Sequence, residues 1–349
     1  MTMIRCPVCG SSDCIKDASA VLEQAASMYQ PCEACAADLP LDKTLPLRDL
    51  GVPAGSDVGR CRRCGRRHID IVMAQVLGIL IEDGLKKSDA VLKDVGTPLI
   101  VYGLELREPP RLGRKELILL LDDADQAAAE RIIGTVPEVR GVIRRRGGPG
   151  KSVGLLDTGY QPHVYELLAG CDVRADIVSS LPGEMVFYRR QSLTHLEFFR
   201  NNSTKIGLLE KMFLDGDLAG KVVVDGLASV GTLGLLAASG GARKVILNDA
   251  WQPAVESMLW NLEANQELLG VQIEQLQIDE SLPLIGTDPI QVAHAWGSVE
   301  LEIWHGDLRR LPEKAGPCDI CIIDTFPGMP VDDFVRRWRP VTRDKIITL

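Results

Sequence analysis

Apolar and polar positions divide the chain into three stretches of different rhythm. From residue 221 onward, short continuous apolar runs (Val222-Val223-Val224, Val245-Ile246-Leu247 and Ile320-Cys321-Ile322-Ile323) alternate with helical spacing such as Leu233, Leu235, Leu236 and Ala237. Uninterrupted runs suit strands covered on both faces, so an α/β, doubly wound parallel sheet is expected here. Between residues 98 and 190 the runs at 99–101, 117–121 and 142–143 surround a helical stretch at 125–133, which predicts a small α+β domain. Val72, Val76, Ile79 and Leu80 fall on one helical face and predict a linking helix within 69–92, with a second connecting helix at 193–213. Before residue 68 cysteines replace apolar periodicity. The expected organisation is a Cys-rich module at 1–70, a linking helix and α+β domain at 71–200, and the parallel-sheet domain at 201–349.

Composition narrows the class. At 349 residues, with 46% hydrophobic and 25% charged positions, the chain has an ordinary globular balance, which excludes wholesale disorder. No apolar run approaches the roughly 18–20 residues of a membrane helix. The sequence opens on Met1 and a cysteine pair without a charged-then-apolar leader, so a cytoplasmic protein is expected. The net charge of -9 is uneven: residues 201–349 carry 13 basic against 21 acidic side chains, whereas the rest is close to neutral. A phosphate backbone would therefore have to meet the first two thirds of the chain.

Seven of the ten cysteines lie in the first 64 residues: Cys6, Cys9, Cys14, Cys32, Cys35, Cys61 and Cys64, with His68 four residues further on. Two residues between cysteines let both sulfurs reach one ion from a tight turn, and eight ligands complete two closed tetrahedral sites of the structural kind. Two zinc ions are expected, an iron–sulfur cluster being the alternative because thiolates serve both. One sharing would be Cys6, Cys9, Cys61 and Cys64 in one site, with Cys14, Cys32, Cys35 and His68 in the other. Cys171, Cys318 and Cys321 stand among apolar residues and read as small buried hydrophobes.

Two basic runs could meet phosphates. Residues 60–67 contain five arginines and no acid, and Arg144, Arg145 and Arg146 precede a glycine–lysine stretch at 147–151. That stretch lacks the spacing of a phosphate-binding P-loop.

The chemistry is expected after residue 221. The first apolar run ends in Asp225, followed by the small-residue turn Gly226-Leu227-Ala228-Ser229-Val230-Gly231, through which a ligand could approach the backbone. The next run ends in Asn248-Asp249, one β-α-β unit later, where a carboxylate can bind ribose hydroxyls. The dinucleotide fingerprint Gly-x-Gly-x-x-Gly is absent.

Asp-x-x-Ala-x-x-Gly after a strand, followed by Asn-Asp and a helix carrying Ala254, Asn261 and Asn265, resembles the class I S-adenosylmethionine-dependent methyltransferases. Over about 221–330 the chain is similar to tRNA guanosine methyltransferases of the guanine dimethyltransferase type. The resemblance implies a Rossmann-like domain that takes S-adenosylmethionine. By it, Asp225, Gly226, Ala228 and Gly231 would cradle the methionine moiety, Asn248 and Asp249 would lie at the ribose, and Asp307 would face adenine. Asp324 would accept a hydrogen bond or proton from a nucleophilic amine, and Phe326 would stack on a planar substrate. Thr325 departs from the proline of amine-methylating members, and the sequence stops near the expected fifth strand, so a partner chain or second copy could complete the sheet. The expected activity is methyl transfer to an RNA base nitrogen, with RNA meeting 60–67 and 144–146. Alternatives are a small metabolite or cofactor precursor as acceptor, and a non-catalytic assembly partner that keeps the cofactor fold. Trp251 and Trp260 read as packing residues, and His163, His195, His294 and His305 receive no role.

Overall fold

The computed structural model describes residues 4–36, 41–52, 57–146, 153, 163–195, 199–276, 282–326 and 328–349. The glycine–lysine stretch at 147–151 and Pro327 lie outside them.

The Cys-rich segment carries helix α1 (Ala18–Ala25) and leads through the short strand β1 (Arg67–His68) into α2 (Ile69–Glu82). Val72, Val76 and Leu80 of α2 are buried as their spacing predicts, and Gly84, with φ of 73°, turns the chain just beyond the helix. The strands β2 (Thr97–Ile100), β3 (Tyr102–Gly103), β4 (Arg111–Leu112) and β5 (Leu117–Leu121) follow, then α3 (Gln126–Thr135) and β6 (Val139–Arg144). Asp125 caps α3, its Oδ1 accepting the N–H of Ala128 at 2.8 Å. After β7 (Glu166–Gly170), the hairpin β8 (Val173–Ser180) and β9 (Gly183–Arg190) closes the middle region. These strands form two small sheets, β2-β5-β6-β7 and β3-β8-β9, while β1 pairs with β4.

The remainder contains α4 (Phe199–Leu214), β10 (Val222–Asp225), α5 (Thr232–Ser239), β11 (Lys244–Asp249), α6 (Gln252–Leu269), β12 (Val271–Leu276), β13 (Ile290–Gly297), β14 (Glu300–His305), α7 (Pro312–Ala315), β15 (Cys318–Ile323), α8 (Asp332–Trp338) and β16 (Thr342–Thr348). Five strands run parallel in the order β14-β11-β10-β15-β16, and β12 and β13 extend the β14 edge as an antiparallel hairpin. The apolar runs that predicted β10, β11 and β15 are buried because helices or loops cover both faces. From β10 the sheet grows one way through β11 and the other way through β15, so the switch point lies between β10 and β15. Ligand clefts open at the carboxyl ends of strands at such a point.

Two buried asparagines dock the middle region onto this sheet. Asn261 Oδ1 accepts the N–H of Tyr188 at 2.6 Å, and its Nδ2 donates to the carbonyls of Tyr188 and Val230. One turn along α6, Asn265 Oδ1 accepts the N–H of Val186, and its Nδ2 donates to Val186 O and Asn261 O. The side chains thus extend the hydrogen bonding of β9 as another strand would, and satisfy groups that apolar packing would leave orphaned. Trp260 is buried beside Tyr188, Cys6 and Cys14, in a core that N-terminal residues share with β8, β9 and α6.

Among the described residues no helix is long and apolar enough to cross a membrane.

Candidate active site and cysteine clusters

Asp225, Asp249 and Asp324 stand at the ends of β10 and β11 and just past β15, the three strands that frame the switch point. Asp225 is 1% exposed; its Oδ2 accepts the N–H of Gly234 at 2.8 Å, while its Oδ1 is buried with no hydrogen-bond partner. Burial pushes the Asp225 carboxyl up to about 7 against the pull of that N–H, and the carboxylates of Asp324 and Asp249 add to the rise. Burial also raises Asp249, although the N–H groups of Trp251 (2.9 Å) and Ser229 (2.8 Å) bind its two oxygens.

The turn between β10 and α5 is tightly wound. Ser229 takes φ of 51°, unusual for a residue with a side chain, and Gly231 at 87° caps α5. A side chain at Gly226 would meet Leu308 at 2.6 Å, so that glycine serves packing against the β14 loop. Ala228 lines the cleft, its N–H donating to Asn248 O. Asn248 is fully buried, and its Nδ2 donates to the carbonyls of Gly226 and Gly306, both at 3.0 Å. That side chain stitches the loops after β10 and β14 together, while its Oδ1 is buried with no hydrogen-bond partner. Asp307 is likewise engaged: Arg309 grips its carboxylate, with 2.6 Å from Nη2 to Oδ2.

Two features have no counterpart in the motif reading. Lys205, on α4, donates its ammonium to Asp324 Oδ2 at 2.6 Å and enters the cleft beside Asp225. The remaining cavity, bounded by Lys205, Asp225, Ser229, Thr232 and Asp324 among others, has a volume of about 20 Å³, room for about one water. The segment before β13 also lies across the ends of β11 and β14: Gly286 N donates to Ala250 O at 2.8 Å, and Gln252 N donates to Leu284 O. The fully buried His305 joins this contact, its Nε2 lying 2.8 Å from Pro283 O. A Cβ on Gly286 would meet Gly306 at 2.9 Å, so the segment packs as closely as backbone allows. It also meets the loop after β14, where Asp307 N donates to Thr287 O at 3.3 Å. Phe326 packs edge-on to His195, ring centroids 5.4 Å apart.

The donor set of the methionine end therefore fits a cationic ligand. Asp225 offers a buried oxygen without a partner, Asp324 already holds an ammonium, and Ala228 and Ser229 of the turn line the cavity.

The cysteines assemble into two groups of four, each with all four sulfurs within 4.8 Å of one another: Cys6, Cys9, Cys14 and Cys171, and Cys32, Cys35, Cys61 and Cys64. This grouping differs from the expected sharing. The two Cys-x-x-Cys-Gly turns at Cys6 and Cys61 are built alike: Gly10 and Gly65, at φ of 71° and 72°, each donate to the first cysteine's carbonyl at 2.8 Å. Similar local structure therefore does not make them partners; each takes its other two ligands from elsewhere. His68 lies outside both groups, where its Nδ1 accepts the N–H of Asp70 and caps α2. Cys171, which read as a core residue, takes the remaining place.

The basic runs are largely occupied within the chain. Arg67 and Glu138 are both fully buried and paired, with Arg67 Nε 2.9 Å from Oε1, and Arg60 reaches the same carboxylate at 2.8 Å. Arg66 donates to the carbonyls of Ser27 and Gln30. Arg144 and Arg146 share Glu166 at 3.0 and 2.7 Å, and Arg145 faces Asp122 at 3.4 Å. Arg62 and Arg63 are exposed, Arg63 facing the likewise exposed Glu33 at 3.5 Å.

No protein-family model matches the chain, and no curated protein matches it. Among solved structures it is similar to TYW2 from Pyrococcus horikoshii, crystallised with MeSAdo, at 16% identity and a TM-score of 0.40, over 78% of this chain and 76% of that one. It is also similar to Trm5b from Pyrococcus abyssi (15%, TM-score 0.37), over 66% of this chain and 56% of that one, and so spans little more than half of Trm5b's length. The tRNA m1G37 methyltransferase of M. jannaschii matches at 16% identity and a TM-score of 0.36, over 65% of this chain and 53% of that one.

Proposed function

We propose that this chain is a Rossmann-like, S-adenosylmethionine-dependent methyltransferase whose acceptor is a nitrogen of an RNA base. The observation that carries the reading is the convergence of Asp225, Asp249 and Asp324 on the switch point of a β14-β11-β10-β15-β16 parallel sheet, with one Asp225 oxygen buried and unbonded. Such an acidic cleft selects a cation, and the cofactor carries an ammonium and a sulfonium. When bound, it supplies an electrophilic methyl group.

In this reading Asp225 holds the ammonium through Oδ1, and Asp249 turns its remaining lone pairs toward ribose hydroxyls while keeping the N–H groups of Ser229 and Trp251. Asp324 orients the acceptor amine and takes its proton once Lys205 has withdrawn, and Phe326 with His195 gives a planar base an apolar wall. Arg62, and Arg63 with its exposed ion pair to Glu33, are the members of the 60–67 run placed to meet phosphates.

The test is transfer of labelled methyl from S-adenosylmethionine into a cell extract, fractionated into RNA, protein and small molecules. Nuclease-releasable label in RNA is the expected result. Label confined to small molecules would overturn RNA as acceptor and leave the enzyme class standing. The Lys205–Asp324 ion pair and the 20 Å³ cavity favour a second reading, a non-catalytic partner that keeps the fold for assembly. Cofactor binding without label in any fraction would support it. The two thiol groups fit structural zinc, since all four positions in each are filled by protein.

A further inference from the structure

We propose that Cys6, Cys9, Cys14 and Cys171 hold a single tetrahedral zinc ion, which staples the N-terminal segment to the turn between β7 and β8. The inference does not rest on the methyltransferase reading.

Sulfur spacing supports it first. Cys6 and Cys171 lie 3.6 Å apart, Cys9 and Cys14 3.4 Å, and Cys14 and Cys171 3.8 Å. Zinc–sulfur bonds of about 2.3 Å at tetrahedral angles require sulfurs about 3.8 Å apart. A cluster of several irons would hold its cysteines farther from one another, so this spacing fits one ion.

The surroundings agree. Cys6, Cys14 and Cys171 are buried together, an arrangement that suits thiolates sharing a cation. Cys171 is held rigidly: its N–H donates to Arg140 O at 3.0 Å, and a side chain on the preceding Gly170, at φ of 79°, would run into Arg140 O. Asp172, next in the chain, accepts the N–H of Ser192 at 2.9 Å. The Arg140 guanidinium donates to Val173 O close by, a fixed cation near a centre that would carry two net negative charges.

The other group, Cys32, Cys35, Cys61 and Cys64, is local to the first 64 residues. The Cys171 group spans 157 residues between Cys14 and Cys171, and its effects would extend further. Lys16, two residues after Cys14, donates its N–H to Tyr188 Oη and accepts that hydroxyl's hydrogen at its carbonyl, both at 3.0 Å. Tyr188 is bonded to Asn261, which reaches Val230 O in the turn of the cleft. The staple is thus continuous with the frame of the candidate active site.

Metal analysis of the purified full chain, with X-ray absorption at the zinc edge, tests the site. The native protein should carry about two zinc ions per chain with an all-sulfur shell at about 2.3 Å. Cys171→Ser should lose one ion and Cys171→His should regain it, whereas Cys318→Ser should keep both. In Cys171→Ser the amides of Lys16 and Tyr188 should lose protection from hydrogen exchange while those of Val223 and Val224 retain theirs. Two ions retained in Cys171→Ser would overturn the proposal. So would nitrogen or oxygen in the native zinc shell, a reading that stands even if the variants fail to fold. Stoichiometric iron, no ion in the native protein, or a single native ion that Cys171→Ser keeps would also overturn it.

Discussion

Asp225 has one oxygen bonded to Gly234 N–H and the other buried with no partner, so ionising it in the fold costs free energy that ionising it in the unfolded chain does not. Its pKa is raised from 3.8 to about 7, chiefly by burial. The protonated form is thus favoured in the native state, and its stabilising contribution is complete below about pH 4 and lost as the pH rises through about 7. Asp225→Asn keeps the Gly234 bond and removes the ionisation, so at pH 8 it should be more stable than the native protein by on the order of 2–4 kcal/mol, a gain that shrinks toward pH 4. Urea unfolding at both pH values measures this, and calorimetry should show S-adenosylmethionine binding weakened at least roughly tenfold. Equal stability at both pH values would mean the carboxyl is not buried as described. Lys205 is the opposite case, a cation tethered to Asp324 in the cleft beside Asp225. Lys205→Met should tighten S-adenosylmethionine by roughly tenfold in the same calorimetric assay, and weaker binding would show that the lysine holds the site together. Neither Lys205 nor Cys171 was legible in the sequence. A lysine on a connecting helix belongs to no spacing rule, and Cys171 lies 157 positions from its nearest ligand partner in the chain. Asp225 was legible because a continuous apolar run ended on it. His68 was drawn in only because it made the ligand count even.

At the scale of elements, β10, β11 and β15 were readable because strands covered on both faces must be apolar throughout. The hairpin β12–β13 was not: its mixture of Gln272, Glu274, His294 and Trp296 with small apolar residues marks an edge extension that only tertiary pairing defines. Residues 282–287, just before β13, lie across the ends of β11 and β14. Helix α6 shows how a helix can dock a strand. Asn265→Ala would leave the buried N–H and carbonyl of Val186 without partners, at a cost of about 2–4 kcal/mol. Asn265→Asp, which sets a buried carboxylate against the carbonyls of Val186 and Asn261, should be less stable still at neutral pH. Denaturant midpoints at constant slope check the order, and an Ala variant as stable as the native chain would show that water replaces the asparagine.

Across the whole molecule, formal charge was a poor guide to charge on offer. The arginine runs at 60–67 and 144–146 looked like phosphate contacts, yet a run cannot reveal that Glu138 and Glu166, many residues away, consume half of it. Arg60 and Arg67 belong to the junction between the Cys-rich segment and the middle sheets, where Glu138 is sealed from water. Removing that carboxylate strands a buried guanidinium, so Glu138→Ala should destabilise the protein by about 3–5 kcal/mol. Arg62 and Arg63 stand outside this network. Their replacement together by glutamate should leave thermal stability within about 0.5 kcal/mol of the native value. RNA affinity should fall, and the slope of log affinity against log salt should shrink by about 1–2, as fewer counterions are released per complex. An unchanged salt slope, in a variant that still folds and binds S-adenosylmethionine, would remove RNA as the macromolecular partner and leave the acidic cleft to a small acceptor.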